Sequence, residues 1–192
     1  MSDSVDDRPA ADTAVSAVRP AREADLSRLL AIQGAALPDS DRTLLRGSVR
    51  ASLALVAVEG PTENVWLSDG ELSAERDVAD TLPAGVDADT PVGYALFTID
   101  EESVYVAELA VAPGHRRRGH GRRLLAAVAA RNSDREQVRL ATRVDNDAAR
   151  SFYASLGFRE ARKLPDYYSQ DGDTAEEPGD ATDGVLLVRP IE

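Results

Sequence analysis

The chain has 192 residues, enough for one domain with a real core and too few for two ordinary ones. It contains no cysteine, which excludes a disulfide framework, a thiolate zinc site and a cysteine nucleophile. Acidic residues outnumber basic ones 34 to 22, for a net charge of −12. The surplus positive charge that non-specific nucleic-acid binding needs is therefore missing.

Lys163 is the only lysine; the other basic side chains are arginines. An acidic surface almost without lysine suits a high-salt cytoplasm, where salt screens self-repulsion. A GC-rich genome gives the same excess of arginine. No apolar run approaches the roughly 20 residues of a membrane span. The N-terminus, MSDSVDDRPAADTAVSA, lacks the basic start and apolar stretch of a secretory signal, so a cytoplasmic protein with no membrane partner is expected. Residues 1–16 read as a disordered acidic leader and 17–192 as a single domain.

A short strand is expected from Val18 to Pro20. Asp25 is placed to cap a helix carrying Leu26, Leu29, Leu30, Ile32 and Leu37, closed by Pro38 and Asp39. A second short helix covers Arg42 to Val49. Ser52 to Val58 reads as a buried strand stopped by Gly60 and Pro61. Residues 61–90 are acidic, rich in turn formers and long for a connection, and so read as an insertion between two strands, with Trp66 as a possible tether. Val92–Ile99 and Val104–Val111 form a hairpin around Asp100, Glu101 and Glu102. An arginine-rich turn leads into a helix from about Gly119 to Asn132, with Leu124, Leu125 and Val128 as its stripe. Val138–Val144 is the next strand. Asn146 caps a helix to about Leu156, and Gly157 fits its left-handed C-terminal position. Phe158 opens another strand, an acidic hairpin loop occupies 171–183, and Val185–Val188 is the last strand. The fold class is α/β: a mixed, mostly antiparallel sheet of six or seven strands with helices on both faces.

The segment Arg116-Arg117-Arg118-Gly119-His120-Gly121 lies between a strand and a helix. The first turn of a helix has unpartnered N–H groups and a positive dipole end. Glycines let a ligand approach the backbone, and arginines add bidentate donors. These features make a pyrophosphate site. A solvated basic turn, or a small nucleic-acid patch, is the competing account of the same residues. No Gly-Lys-Ser/Thr follows, and the spacing is not that of a dinucleotide fold. His115 and His120 share this turn, but no Asp, Glu or Cys stands at ligand spacing, so no metal is expected.

Leu109-Ala110-Val111-Ala112-Pro113 followed by Arg-x-x-Gly-x-Gly at 116–121 resembles the acyl-CoA signature of the GNAT N-acetyltransferase superfamily. Asn146-Asp147-Ala148-Ala149-Arg150-Ser151-Phe152-Tyr153, then Ser155-Leu156-Gly157-Phe158, resembles its last helix and exit. Within the superfamily the chain looks most like the N-terminal acetyltransferases of ribosomal proteins, through Tyr167-Tyr168 and Gly184-Val185-Leu186-Leu187-Val188. The resemblance implies that Leu109, Ala110 and Val111 offer backbone groups to the pantetheine arm of acetyl-CoA. It implies that Arg116, Arg117, Arg118, Gly119, His120, Gly121 and Arg122 wrap the pyrophosphate and that Asn146 touches the cofactor. Tyr153 would be the general acid toward the leaving thiolate, and Tyr167 and Tyr168 would hold the substrate.

Such relatives carry a catalytic glutamate five positions before Asn146; here Ala141 stands there. Glu108 is the substitute candidate for the base, acting through a water. An α-amino group with a pKa near 7.7–8.0 needs less help than a lysine near 10.4. The expected acceptor is thus a protein N-terminus, possibly ribosomal, with the enzyme a monomer or homodimer and without a metal. Two rivals remain: a small-molecule amine acetyltransferase, and an acyl-CoA sensor without turnover.

Overall fold

The computed structural model describes residues 15–37, 40–60, 89–168 and 183–191. The acidic leader, the helix-closing pair Pro38 and Asp39, most of the insertion with Trp66, and the hairpin loop short of Asp183 lie outside the described residues. In chain order the elements are β1 (Val15–Pro20), α1 (Leu26–Ala36), α2 (Arg42–Arg50), β2 (Ala54–Gly60), β3 (Thr90–Ile99), β4 (Ser103–Val111), α3 (His120–Arg131), β5 (Gln137–Arg143), α4 (Asp147–Ala154), β6 (Arg159–Leu164) and β7 (Gly184–Pro190). They form one seven-stranded sheet in the order β1-β2-β3-β4-β5-β7-β6. Every pairing is antiparallel except β4 with β5. The expected element order and the mixed, mostly antiparallel class are both found.

The sheet buries both faces, and each face has its own core. On one side Leu124, Leu125 and Val128 of α3 pack on Val104, Val106, Val138 and Leu140. On the other, Leu29 and Ile32 of α1 and Leu45 and Val49 of α2 pack on Val56, Tyr94, Leu96 and Ala110. β3 lies between these layers and is buried without a break from Pro91 to Phe97, which is why VGYALF is continuously apolar. β5 alternates, burying Val138, Leu140 and Thr142. Edge strand β6 carries Arg159, Glu160, Arg162 and Lys163, charges that discourage pairing with another chain.

Two local expectations need correcting. Asp25 does not cap α1 through its side chain. Its carboxylate instead accepts from the Arg22 N–H at 2.7 Å and pairs with the Arg19 guanidinium at 2.7 Å, closing a short 3-10 turn, Glu23–Asp25. Asp89, at the end of the insertion, joins that cluster through Arg19 at 2.6 Å and Arg22 at 2.9 Å. The second correction is at β2. Ser52 has φ +60°, so the chain turns there and the strand starts at Ala54 and runs through Gly60. The longer strand brings Glu59 into the ladder, opposite Thr90.

Candidate active site

β4 opens the site. Its ladder with β3 pairs Leu96 with Glu108 but Phe97 with Val106, leaving Ala107 as an extra residue. Such a bulge bends and twists the strand that carries it. The parallel ladder with β5 accordingly ends at Val106↔Leu140, while β5 goes on to pair with β7 through Arg143. β4 and β5 splay apart from there. Leu109, Ala110 and Val111 present the β5-facing backbone edge of β4 to this cleft, where an extended ligand with amide groups can add like another strand. The Val111 carbonyl already accepts from Arg116 Nε at 3.1 Å.

The arginine turn follows directly. Pro113–His115 form a 3-10 turn, Arg117 takes φ +66°, and Gly119 takes φ +84° as the N-cap of α3. Arg116, Arg117, Arg118, Arg122 and Arg123 are exposed around a helix N-terminus, an arrangement suited to a di-anionic phosphate group. The two glycines serve different ends. Gly119 supplies a left-handed backbone that costs other residues roughly 1–2 kcal/mol. Gly121 is a packing residue: a Cβ there would meet Phe152 Cζ at 3.1 Å and Leu109 Cδ2 at 3.8 Å. It therefore brings α3, α4 and the splayed part of β4 together, a packing role beside the ligand approach expected of both glycines from the sequence. Gly119→Ala is expected to lower the melting temperature by several degrees and to weaken acetyl-CoA binding at least tenfold, read by calorimetric titration.

His120 differs from the sequence expectation in another way. Its side chain is 1% exposed and turns inward, leaving only its backbone to face a phosphate. Nε2 lies 2.7 Å from Glu59 Oε1, and Glu59 Oε2 lies 2.9 Å from His115 Nδ1. Arg118 reaches the same carboxylate at 3.4 Å. Burial pushes the His120 imidazole below its usual value despite the carboxylate. Burial of Glu59 acts to raise its carboxyl, but the hydrogen bonds from His120 and His115 outweigh it and hold it below the usual range. No carboxylate stands at ligand spacing from the two histidines along the chain, but the fold brings one to them: Glu59 is 56 residues before His115 in the chain and adjacent to it in space.

Glu108 does not point to solvent. It is 8% exposed and faces the α1 side of the sheet. Tyr94 donates its hydroxyl to Oε2 at 2.7 Å, and Gln33 Nε2 donates to both oxygens at 3.1 and 3.2 Å. Gln33 also reaches the Asp41 carbonyl at 3.3 Å. These donors offset part of the cost of burying a carboxylate. Burial and the carboxylate raise the Tyr94 phenol well above its ordinary range, so Tyr94 remains a donor. Neither Tyr94 nor Gln33 was singled out in the sequence. The available signal was Gln33 itself, a polar residue four after Leu29 on the apolar face of α1.

Tyr153 lies on α4 between Phe152 and Phe158, with ring centroids 5.2 and 5.7 Å away. Burial, and to a lesser extent the neighbouring Tyr168, push its phenol up to about 12. Asn146 caps α4 as expected, accepting from Ala149 N–H at 3.0 Å. Tyr167 and Tyr168 meet edge to face at 5.0 Å, and the Arg143 guanidinium sits 4.7 Å over the Tyr168 ring. Tyr105 of β4, absent from the sequence reading, hydrogen-bonds to Tyr167 hydroxyl to hydroxyl at 2.9 Å. Tyr105 is in register with Arg139, while Tyr167 packs on Gly184, the partner of Arg143. The bridge thus crosses β5 over the stretch that holds Ala141.

The profile of the Acetyltransferase (GNAT) family matches residues 53–158. The chain belongs to the GNAT acetyltransferase family. Over 102 residues this GNAT domain is 39% identical to the mycothiol acetyltransferase of Cellulomonas flavigena, covering 52% of this chain and 29% of that protein. Its fold is shared with Ard1 from Thermoplasma volcanium, at TM-score 0.66 and 21% identity over 92% of this chain and 98% of the other. It is shared too with the ribosomal-protein-S18-alanine N-acetyltransferase of Escherichia coli, at TM-score 0.61 and 20% identity over 92% and 94%. Among the described residues no helix of this GNAT domain is long and apolar enough to cross a membrane.

Proposed function

We propose that this GNAT enzyme acetylates the primary amine of a small molecule. The observation that carries this reading is the Tyr105–Tyr167 bridge over Ala141. It ties β4 to the exit of β6 across the acceptor side of β5, and an extended peptide would have to displace it. The likeness to a mycothiol acetyltransferase, whose acceptor belongs to small-molecule thiol synthesis, supports the same class. So does Ala141, which stands where the N-terminal acetyltransferases it resembles carry a glutamate. A protein N-terminus is the second reading, supported by the Tyr167–Tyr168 pair and by fold likeness to enzymes named for that substrate.

Transfer is direct. The backbone edge of Leu109, Ala110 and Val111 holds the pantetheine arm, and an N–H of that edge stabilises the developing oxyanion. Arg117, Arg118 and Arg122, with the backbone of Gly119, His120 and Gly121, hold the pyrophosphate; Arg116 braces the turn on Val111, and Asn146 lines the far wall. As the amine nitrogen bonds to the acetyl carbon, Glu108 takes its proton, directly or through one water. The carbon–sulfur bond breaks and Tyr153 gives its proton to the sulfur.

A thiol-release assay tests the acceptor. The protein and acetyl-CoA are mixed with amino acids, amino sugars, aminothiol conjugates and polyamines, and separately with peptides of varied N-terminal residue. Turnover with a small amine at a kcat/KM at least tenfold above that of any peptide supports the proposal. The reverse ranking establishes the N-terminal reading. Tight acetyl-CoA binding with no release in either panel overturns both.

A further inference from the structure

Acetyl transfer makes no use of the side chains of Glu59, His115 and His120. They come from three segments: the end of β2, the 3-10 turn and the first residue of α3. Their ligand atoms, a carboxylate oxygen, Nδ1 and Nε2, all lie within 4.8 Å of one another. We propose that these three residues form a binding site for a divalent transition-metal ion of the zinc class, clamping β2 to both ends of the arginine turn.

The donor set determines the class of ion. Two imidazoles and one carboxylate suit Zn²⁺ and its borderline neighbours, whereas Mg²⁺ and Ca²⁺ favour oxygen-only cages. The distances are close to what such an ion needs. With Zn–N bonds of roughly 2.0–2.1 Å, tetrahedral ligand atoms stand about 3.3 Å apart. The carboxylate–imidazole pairs, His120 on Oε1 at 2.7 Å and His115 on Oε2 at 2.9 Å, are hydrogen bonds that open by about 0.5 Å when an ion replaces the shared proton. The remaining adjustment falls on the two histidines, and the His115 side chain, 30% exposed, turns as its hydrogen bond to Glu59 gives way to the ion. Three protein ligands leave a fourth position for water. The surroundings oppose a cation, since Arg118 contacts the carboxylate at 3.4 Å and Arg116, Arg117, Arg122 and Arg123 lie nearby. Arg118 is 57% exposed and able to swing into solvent when the ion takes its place.

The composition makes the experiment unambiguous. His115 and His120 are the only histidines in the chain, and there is no cysteine. Untagged full-length protein, stripped with a chelator, is titrated with Co²⁺ and Zn²⁺. The proposal expects one equivalent of Co²⁺ with the intense visible absorption of a four- or five-coordinate site, paramagnetic shifts of both histidine ring signals, and displacement by Zn²⁺. His115→Ala and Glu59→Gln, each checked for folding by its melt, are expected to lose affinity at least tenfold, and Zn²⁺ is expected to raise the melting temperature of the wild type alone. The weak spectrum of hydrated Co²⁺ with unshifted histidine signals overturns the proposal. So does equal binding by His115→Ala, which would assign the ion to the acidic surface.

Discussion

Tyr153→Phe lowers kcat by about 100- to 1,000-fold while leaving the affinity for acetyl-CoA within twofold of the wild type. The expectation follows from where the side chain lies. Phe152 and Phe158 hold the ring, so the phenylalanine variant keeps the packing and loses only the hydroxyl. Burial and Tyr168 push that hydroxyl up to about 12, so it carries its proton throughout the neutral range. A weaker acid is a poorer donor to most bases, but a thiolate leaving a thioester takes its proton as charge develops, and donation there is worth most. The pH profile gives a second reading. With Tyr153 as the donor, the rate has no alkaline fall at the ordinary tyrosine value near 10. Steady-state kinetics and a separate calorimetric titration check both statements, and a rate within threefold of wild type removes Tyr153 from the chemistry.

Glu108→Gln produces the second large effect, a loss of about 100-fold in kcat/KM for the amine at pH 7. The substitution is nearly isosteric, and its amide oxygen can keep the Oε2 position where Tyr94 and Gln33 both donate, but its NH₂ then faces the Gln33 amide nitrogen donor to donor in place of Oε1. A destabilisation of about 1–3 kcal/mol accompanies it. Kinetic and structural roles separate by pH. A residue that removes the amine proton is needed less once the acceptor is already neutral, so the deficit shrinks as pH rises through the acceptor's own pKa. A purely structural Glu108 gives a deficit independent of pH. Tyr94→Phe, which removes one donor and leaves the carboxylate, is expected to cost only severalfold.

Much of the fold was legible in the chain. Alternation in VRLATRV, the continuous apolar run VGYALF and the stripe of Leu124, Leu125 and Val128 each report a burial pattern set by local periodicity. The arginine turn and the Asn146 cap were legible for the same reason, because all of their parts lie within a few residues. Asp25 was misread because its acidic side chain offered two local uses, and Arg19, six residues earlier, took it from the cap.

The sequence by itself determined the element order, the mixed sheet and the arginine-rich turn at the start of a helix, since these depend on neighbours along the backbone; Tyr153 as the acid candidate came from the resemblance to the GNAT superfamily. Tertiary structure alone decided what surrounds each chemical group. The bulge at Ala107 splays β4 from β5, and pairing across β3 and α1 puts Tyr94 and Gln33 on Glu108. The β2 register brings Glu59 to two histidines more than fifty residues away. The Tyr105–Tyr167 bridge closes over Ala141 from opposite sides of β5. Hydrogen bonds act over about 3 Å of space whatever the distance along the chain, so these contacts carry no local signature in the sequence.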